Sequence, residues 1–197
     1  MRSLTLIATI LLLFSPLLQA QEIAKRPLII SVYNNATLLP GQGKLGIFGT
    51  PIHPGFSVGT AFDLKEWEKS ELHQRLRLGY FYHQYVQHGF QLYTETVYKK
   101  PIQNWFVEGS LGLGYLQSVP ATGVFELSEA GTYKDQGNVL RPQFMAGAGI
   151  GFGYAIRPET MIFLQYQFYL QMPFVKEYVP LVPNSTLHFG IQLPIKI

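Results

Sequence analysis

The chain contains no cysteine, and that absence removes several classes together. A lipid anchor on cysteine, a disulfide framework and a thiolate metal site are all excluded. Charge is also scarce. Asp, Glu, Lys and Arg supply 14% of the 197 residues, where an ordinary soluble domain carries about 25%. No charge sign dominates, with 15 basic against 12 acidic residues, which argues against nucleic acid as a partner and against a polybasic membrane patch. Beyond the first twenty residues no apolar run approaches the length of a spanning helix.

What is present begins with "MRSLTLIATILLLFSPLLQA". Arg2 gives a short positive start, residues 4–14 an apolar stretch and Ala20 a small residue for cleavage. The run is short for a membrane span and reads as a secretory signal over 1–20. Residues 21–197 then form one expected domain, with a charge near +2 once Arg2 is removed. An exported chain with 14% aromatics and so little charge needs a particular way to hide its surface.

Alternation supplies one. Strands are expected near 28–38, 54–64, 73–86, 89–99, 104–119, 139–156, 160–173 and 185–197, several of them far longer than the usual strand of about 5–6 residues. In the last, Leu187, Phe189, Ile191, Leu193 and Ile195 share one face, while Thr186, His188, Gly190 and Gln192 share the other. In the one before, Ile162, Leu164, Tyr166, Phe168 and Leu170 stand opposite Gln165, Gln167, Tyr169 and Gln171. In "RPQFMAGAGIGFGYAI" four glycines, at 147, 149, 151 and 153, alternate with Ala148, Ile150, Phe152 and Tyr154. A soluble barrel turns its apolar face inward, but these bulky faces would overfill an eight-stranded interior. Turned outward, the same faces meet lipid, and glycine relieves crowding within. The expected fold is therefore all-β: a transmembrane antiparallel up-and-down barrel of about eight strands. A tight hairpin at 157–160 would set Gly153, Gly151, Gly149 and Gly147 against Gln165, Gln167, Tyr169 and Gln171. The glycines make space; with no helix following, they do not cradle a phosphate.

Short connections at 65–72, 99–104 and 157–160 alternate with longer ones at 39–53, 119–138 and 174–184. That is the pattern of periplasmic turns against extracellular loops. The 86–89 connection is short and reads as a hairpin closed by Gly89. If 28–38 were not a strand, a segment such as 44–50 would have to restore the even count. Tyr98, Trp105 and Tyr154 fall at the short-turn ends of their strands; Phe90, Tyr115 and Phe144 fall at the opposite ends. Two such aromatic belts mark membrane interfaces.

The leader, the alternating strands and the terminal "TLHFGIQLPIKI" resemble the small eight-stranded outer-membrane barrel proteins of Gram-negative bacteria. "TPIHPGFSVGTAF" (50–62) and "LGYFYHQYVQHGFQLYTE" (78–95) are similar to barrels of the Bacteroidetes type. The resemblance implies an outer-membrane location, a surrounding of outer-membrane lipid, insertion by the barrel assembly machinery and a monomer. Barrels of this family usually end in an aromatic residue, which the machinery reads; the final residue here is Ile197.

Inward parity gathers Asp63, Arg75, Arg77, His83, Glu95, Glu108, Arg141, Gln165 and Gln167 into one expected interior network. Pairing across 99–104 would place Glu95 opposite Glu108, a carboxylate pair able to share a proton. Arginines that neutralise them give the simpler, structural reading. No ligand spacing for a metal occurs among the five histidines, and no cofactor motif is found. An esterase would want Ser, His and an acid at one rim. Ser185 and His188 have opposite parity, and the His-x-Ser motif of lipid A deacylases is absent. A structural or surface-interaction role is expected, with a lipid A deacylase or acyltransferase as the alternative. Phe125 and Tyr133, in the loop 120–137, are the candidate contacts for an extracellular ligand.

Overall fold

The computed structural model describes residues 26–37, 52–127, 131–135, 137, 139–174 and 179–195. The expected leader, the alternative strand 44–50 and Ile197 lie outside the described residues. Among the described residues ten strands follow one another: β1 (Arg26–Ala36), β2 (Pro54–Trp67), β3 (Ser70–His83), β4 (Gln87–Ile102), β5 (Trp105–Pro120), β6 (Phe125–Leu127), β7 (Tyr133–Asp135), β8 (Arg141–Arg157), β9 (Thr160–Met172) and β10 (Val182–Ile195). Eight of them close an antiparallel barrel in the order β1-β10-β9-β8-β5-β4-β3-β2, and β6 pairs with β7 in a separate ribbon. β1 pairs with both β10 and β2, so the first expected strand is a full member of the wall.

Register fixes the tilt. A circuit of paired residues from Lys99 runs through Glu108, Gly151, Gln165, His188, Tyr33, Gly55 and Phe81 and returns to β4 at Gly89, ten residues from its start. A stagger of that size over eight strands corresponds to a tilt of roughly 40°. The alternation places apolar side chains outside: Leu111, Ile150 and Phe189 are exposed, whereas Gln165, Glu95 and Arg77 are buried. Trp105 and Tyr154 pack edge to face at 4.9 Å at the short-turn end, and Trp67 meets Tyr98 there. Tyr115 and Phe144 lie ten residues further along β5 and β8. At this tilt the separation spans about 25 Å, the height of an outer-membrane apolar band.

Two hairpins differ from expectation by their turn centres, and a third by its register. β4 continues through Pro101 to Ile102, and the turn is Gln103–Asn104, with Gln103 at φ 56°. The β3–β4 connection is residues 84–86, closed by Val86 N–H donating to His83 O at 3.0 Å. Gly89 therefore lies inside β4 rather than in the turn; a side chain there would strike the Phe81 ring. At Pro158–Glu159 an even register would set Gly153 against outward Leu164. A bulge between Ala155 and Arg157 moves the pairing by one and brings inward Phe163 opposite instead. Gly151 then meets Gln165, Gly149 meets Gln167 and Gly147 meets Tyr169, each partner two residues earlier than expected. The space above Gly153 and Gly151 is filled from β5, by Phe106 and Glu108.

Candidate functional site

The interior is built in layers along the barrel axis. Nearest the short turns, Ile29, Ala61, Phe106 and Phe163 form an apolar plate, with Met161 against it. Nearer the long loops, Tyr33, Phe81, Tyr93, Leu116, Met145 and Tyr169 form a second. Between the two plates lie the charges. Arg75 donates from both terminal nitrogens to the two carboxylate oxygens of Glu108, at 2.7 and 2.6 Å, and both side chains are almost fully buried. This two-pronged geometry is the strongest form of an arginine–carboxylate contact. Arg77 donates to Gln165 Oε1 at 3.0 Å. Its Nε lies 3.1 Å from Glu95 Oε2, close enough for Coulombic attraction but outside hydrogen-bond geometry. Gln165 and Gln167 both donate to the other Glu95 oxygen, at 3.1 and 3.2 Å. Both guanidinium groups lie over the Phe163 ring, at 6.0 and 5.6 Å. The central balance is two arginines against two glutamates.

Two expected members stand outside that layer. The Asp63 side chain is 89% exposed at the short-turn mouth, where a bulge interrupts β2. It accepts from His73 at 2.8 Å; the other His73 nitrogen meets Glu71, which also takes Lys99 at 3.1 Å. Arg141 opens β8 beside Ser118 at the long-loop rim and is half-buried. Glu95 and Glu108 do not face each other. The extra length of β4 pairs Glu95 with Gly112 and Lys99 with Glu108, so no shared-proton carboxylate pair forms. His83 ends β3 and stacks on His53, with ring centroids 3.5 Å apart and an interplanar angle of 11°.

Several interior groups were not included in the expected network. Ser31 meets Ser57 at 2.8 Å and His188 Nδ1 at 3.1 Å, while His188 Nε2 faces the Thr186 hydroxyl. Toward the long loops, Gln87 and Gln171 exchange amide hydrogen bonds at 3.1 and 3.0 Å. Asn184 and Asn35 extend that chain to the Tyr169 hydroxyl. Their signal was available: Ile29, Ser31, Tyr33 and Asn35 in β1, and Gln87, Gln91, Tyr93 and Glu95 in β4, follow the same period of two.

The described residues do not assemble the Ser, His and acid of an esterase around His188. Ser31 and His188 are buried between the plates, and the remaining His188 nitrogen finds a hydroxyl rather than a carboxylate. Ser185 occupies the outward register between Ala36 and Phe168, away from His188. The void at the short-turn mouth beside Arg75 and Lys99 holds about 30 Å³, and a second, of about 170 Å³, lies among Asp63, Lys65, Glu66, Glu71 and His73. Among the described residues no group of three His, Cys, Asp or Glu is placed to hold a metal ion.

No protein-family profile and no curated protein matches the chain. Solved structures do. Neisserial surface protein A superposes with a TM-score of 0.58 over 86% of this chain and 96% of that one, at 9% identity. The attachment invasion locus protein Ail of Yersinia pestis covers 87% of this chain and 98% of its own, at 0.48 and 13%. The outer membrane enzyme PagL covers 85% and 99%, at 0.47 and 14%. At such identities the likeness to the Neisserial protein is one of fold. The chain has the fold of a small eight-stranded outer-membrane barrel, with an apolar wall, a filled polar lumen and one projecting ribbon among the described residues.

Proposed function

We propose that the protein is a non-catalytic outer-membrane barrel with a structural or surface-interaction role, its long loops facing the cell exterior. The observation that carries this reading is the lumen: among the described residues, two apolar plates flank a matched charge layer that fills the space between them. Interaction then falls to what projects. In the β5–β8 connection, Phe125 is 61% and Tyr133 73% exposed, on a ribbon that pairs Phe125 with Asp135 and Leu127 with Tyr133. Lipid would surround the wall, the assembly machinery would insert it, and the barrel would act as a monomer. Stretches 50–62 and 78–95 support an origin among barrels of the Bacteroidetes type.

Lipid A composition in cells with and without the protein tests the reading. An unchanged acylation pattern is expected. A missing or added acyl chain that depends on the protein would establish a lipid-modifying enzyme instead.

A further inference from the structure

We infer that the stacked imidazoles of His53 and His83 form a pH-sensitive clasp, which holds the entry to β2 against the barrel mouth near neutral pH and releases it on acidification. His53 sits just before Pro54, where the connection from β1 returns to the wall. Its peptide N–H donates to Asn34 Oδ1 at 2.8 Å, and its carbonyl accepts from Asn35 N–H at 2.9 Å. Its ring Nδ1 lies 3.1 Å from Asn35 O, a carbonyl, so that nitrogen carries the hydrogen. Nε2 of His53 and Nδ1 of His83 are buried and have no hydrogen-bond partner.

That geometry suits two neutral rings and no other charge state. A proton on His53 Nε2 would create a buried donor without an acceptor, which is costly. A proton on each ring would put two like charges face to face at 3.5 Å. The groups facing the pair are Asn34 and Asn35 from β1 and Gln87, the register partner of His83, from β4. The other imidazole at this rim, His88, turns to the outer face, against Tyr80 and Tyr82. Among the described residues no Asp, Glu, Lys or Arg bonds either ring.

The direction follows from linkage. Burial lowers the pKa of His53, and the bond to Asn35 opposes this only in part. The clasp therefore has its full stability above the open-state imidazole value of about 6.5, and loses it as pH falls below that value. Stacked aromatic rings without titration would keep the contact at all pH values, which makes phenylalanine the informative replacement.

The experiment is amide hydrogen exchange on the whole protein in lipid nanodiscs, with histidine ring resonances followed from about pH 7.5 to about pH 5. Protection at the Asn35 and His53 amides, corrected for intrinsic exchange, should fall about a hundredfold over the two pH units below neutrality, one factor of ten per proton and unit at most over part of the range. The β4 amides of Val97 and Glu95 should stay protected throughout. In His83→Phe the loss should shrink to about tenfold or less. Constant protection at Asn35 and His53 in the native chain would overturn the proposal, as would a native-sized response in His83→Phe. Loss that spreads equally to Val97 would also overturn it, because the acid response would then be unfolding of the wall.

Discussion

Glu108 stands opposite Lys99 across the β4–β5 hairpin, yet Arg75, on the far side of β4, takes both of its carboxylate oxygens. Lys99 turns instead to Glu71 and lies 5.0 Å from the centre of the Phe106 ring. Arg75 thus reaches across a strand, and its tie spans three strands of the wall, whereas Arg77 meets Glu95 on the neighbouring β4 and Gln165 on β9.

This relationship predicts an asymmetry. Arg75→Ala leaves a buried carboxylate without its partner and should destabilise the barrel by about 3–5 kcal/mol. The double replacement Arg75→Met with Glu108→Leu removes both charges and should cost clearly less than the single change. Unfolding midpoints in urea, measured on the protein reconstituted in lipid, rank the variants. A double variant as unstable as the single one would mean that the pair itself, rather than the stranded charge, carries the stability.

Gly149 gives a test of the two faces. A Cβ there would lie 2.7 Å from Ser110 Oγ and 3.3 Å from Gln165 Nε2, inside the network that holds Glu95. Gly149→Leu should therefore block or severely impair assembly. Ile150→Leu, one residue on, is 69% exposed on the outer wall and should shift stability by less than about 1.5 kcal/mol. Folded yield and heat-modified gel mobility distinguish them. Equal behaviour would mean that the faces are reversed.

The ribbon gives a third. Deleting residues 121–136 and bridging with a short Gly-Ser link should leave the wall intact, because β5 and β8 pair without help from β6 and β7. Protease added to intact cells should cut the native loop and spare the deleted form. Resistance from outside, with cleavage only after the periplasm is opened, would invert the proposed orientation.

How much of this was legible in the sequence depends on the kind of information. Period two declares which side chains share a face, so the outward Ile162–Leu164–Tyr166 series and the inward Arg75, Arg77, Glu95 and Gln165 could be read directly. Register could not. It depends on single residues at the turns: Gln103 adopts a positive φ without a glycine to announce it, and one bulged residue after Ala155 decides whether Gly153 meets Leu164 or Phe163. The first of these, at the β4–β5 turn, moved Glu95 away from Glu108. Asp63 kept the expected parity, but lies at the mouth, past the last β1–β2 pair, and parity carries no information about depth. The His53–His83 stack joins a loop end to a strand end, and no periodic pattern reports such a contact.

The seam between β1 and β10 has a consequence for how the wall can be made. It pairs Arg26 with Ile195 and Ala36 with Ser185, so the earliest strand finds one of its two neighbours only when the latest has arrived. Until then β1 shows a row of bare peptide groups along one edge, and so does each strand that is newest. Such an edge accepts any passing strand, including that of another molecule. Contacts between the far ends of a chain also form slowly, since the intervening length must be ordered first. The half-made sheet is a species in danger for as long as the seam stays open. If assembly machinery inserts the barrel, as proposed, pairing with this open edge until β10 takes its place is the protection the seam asks of it.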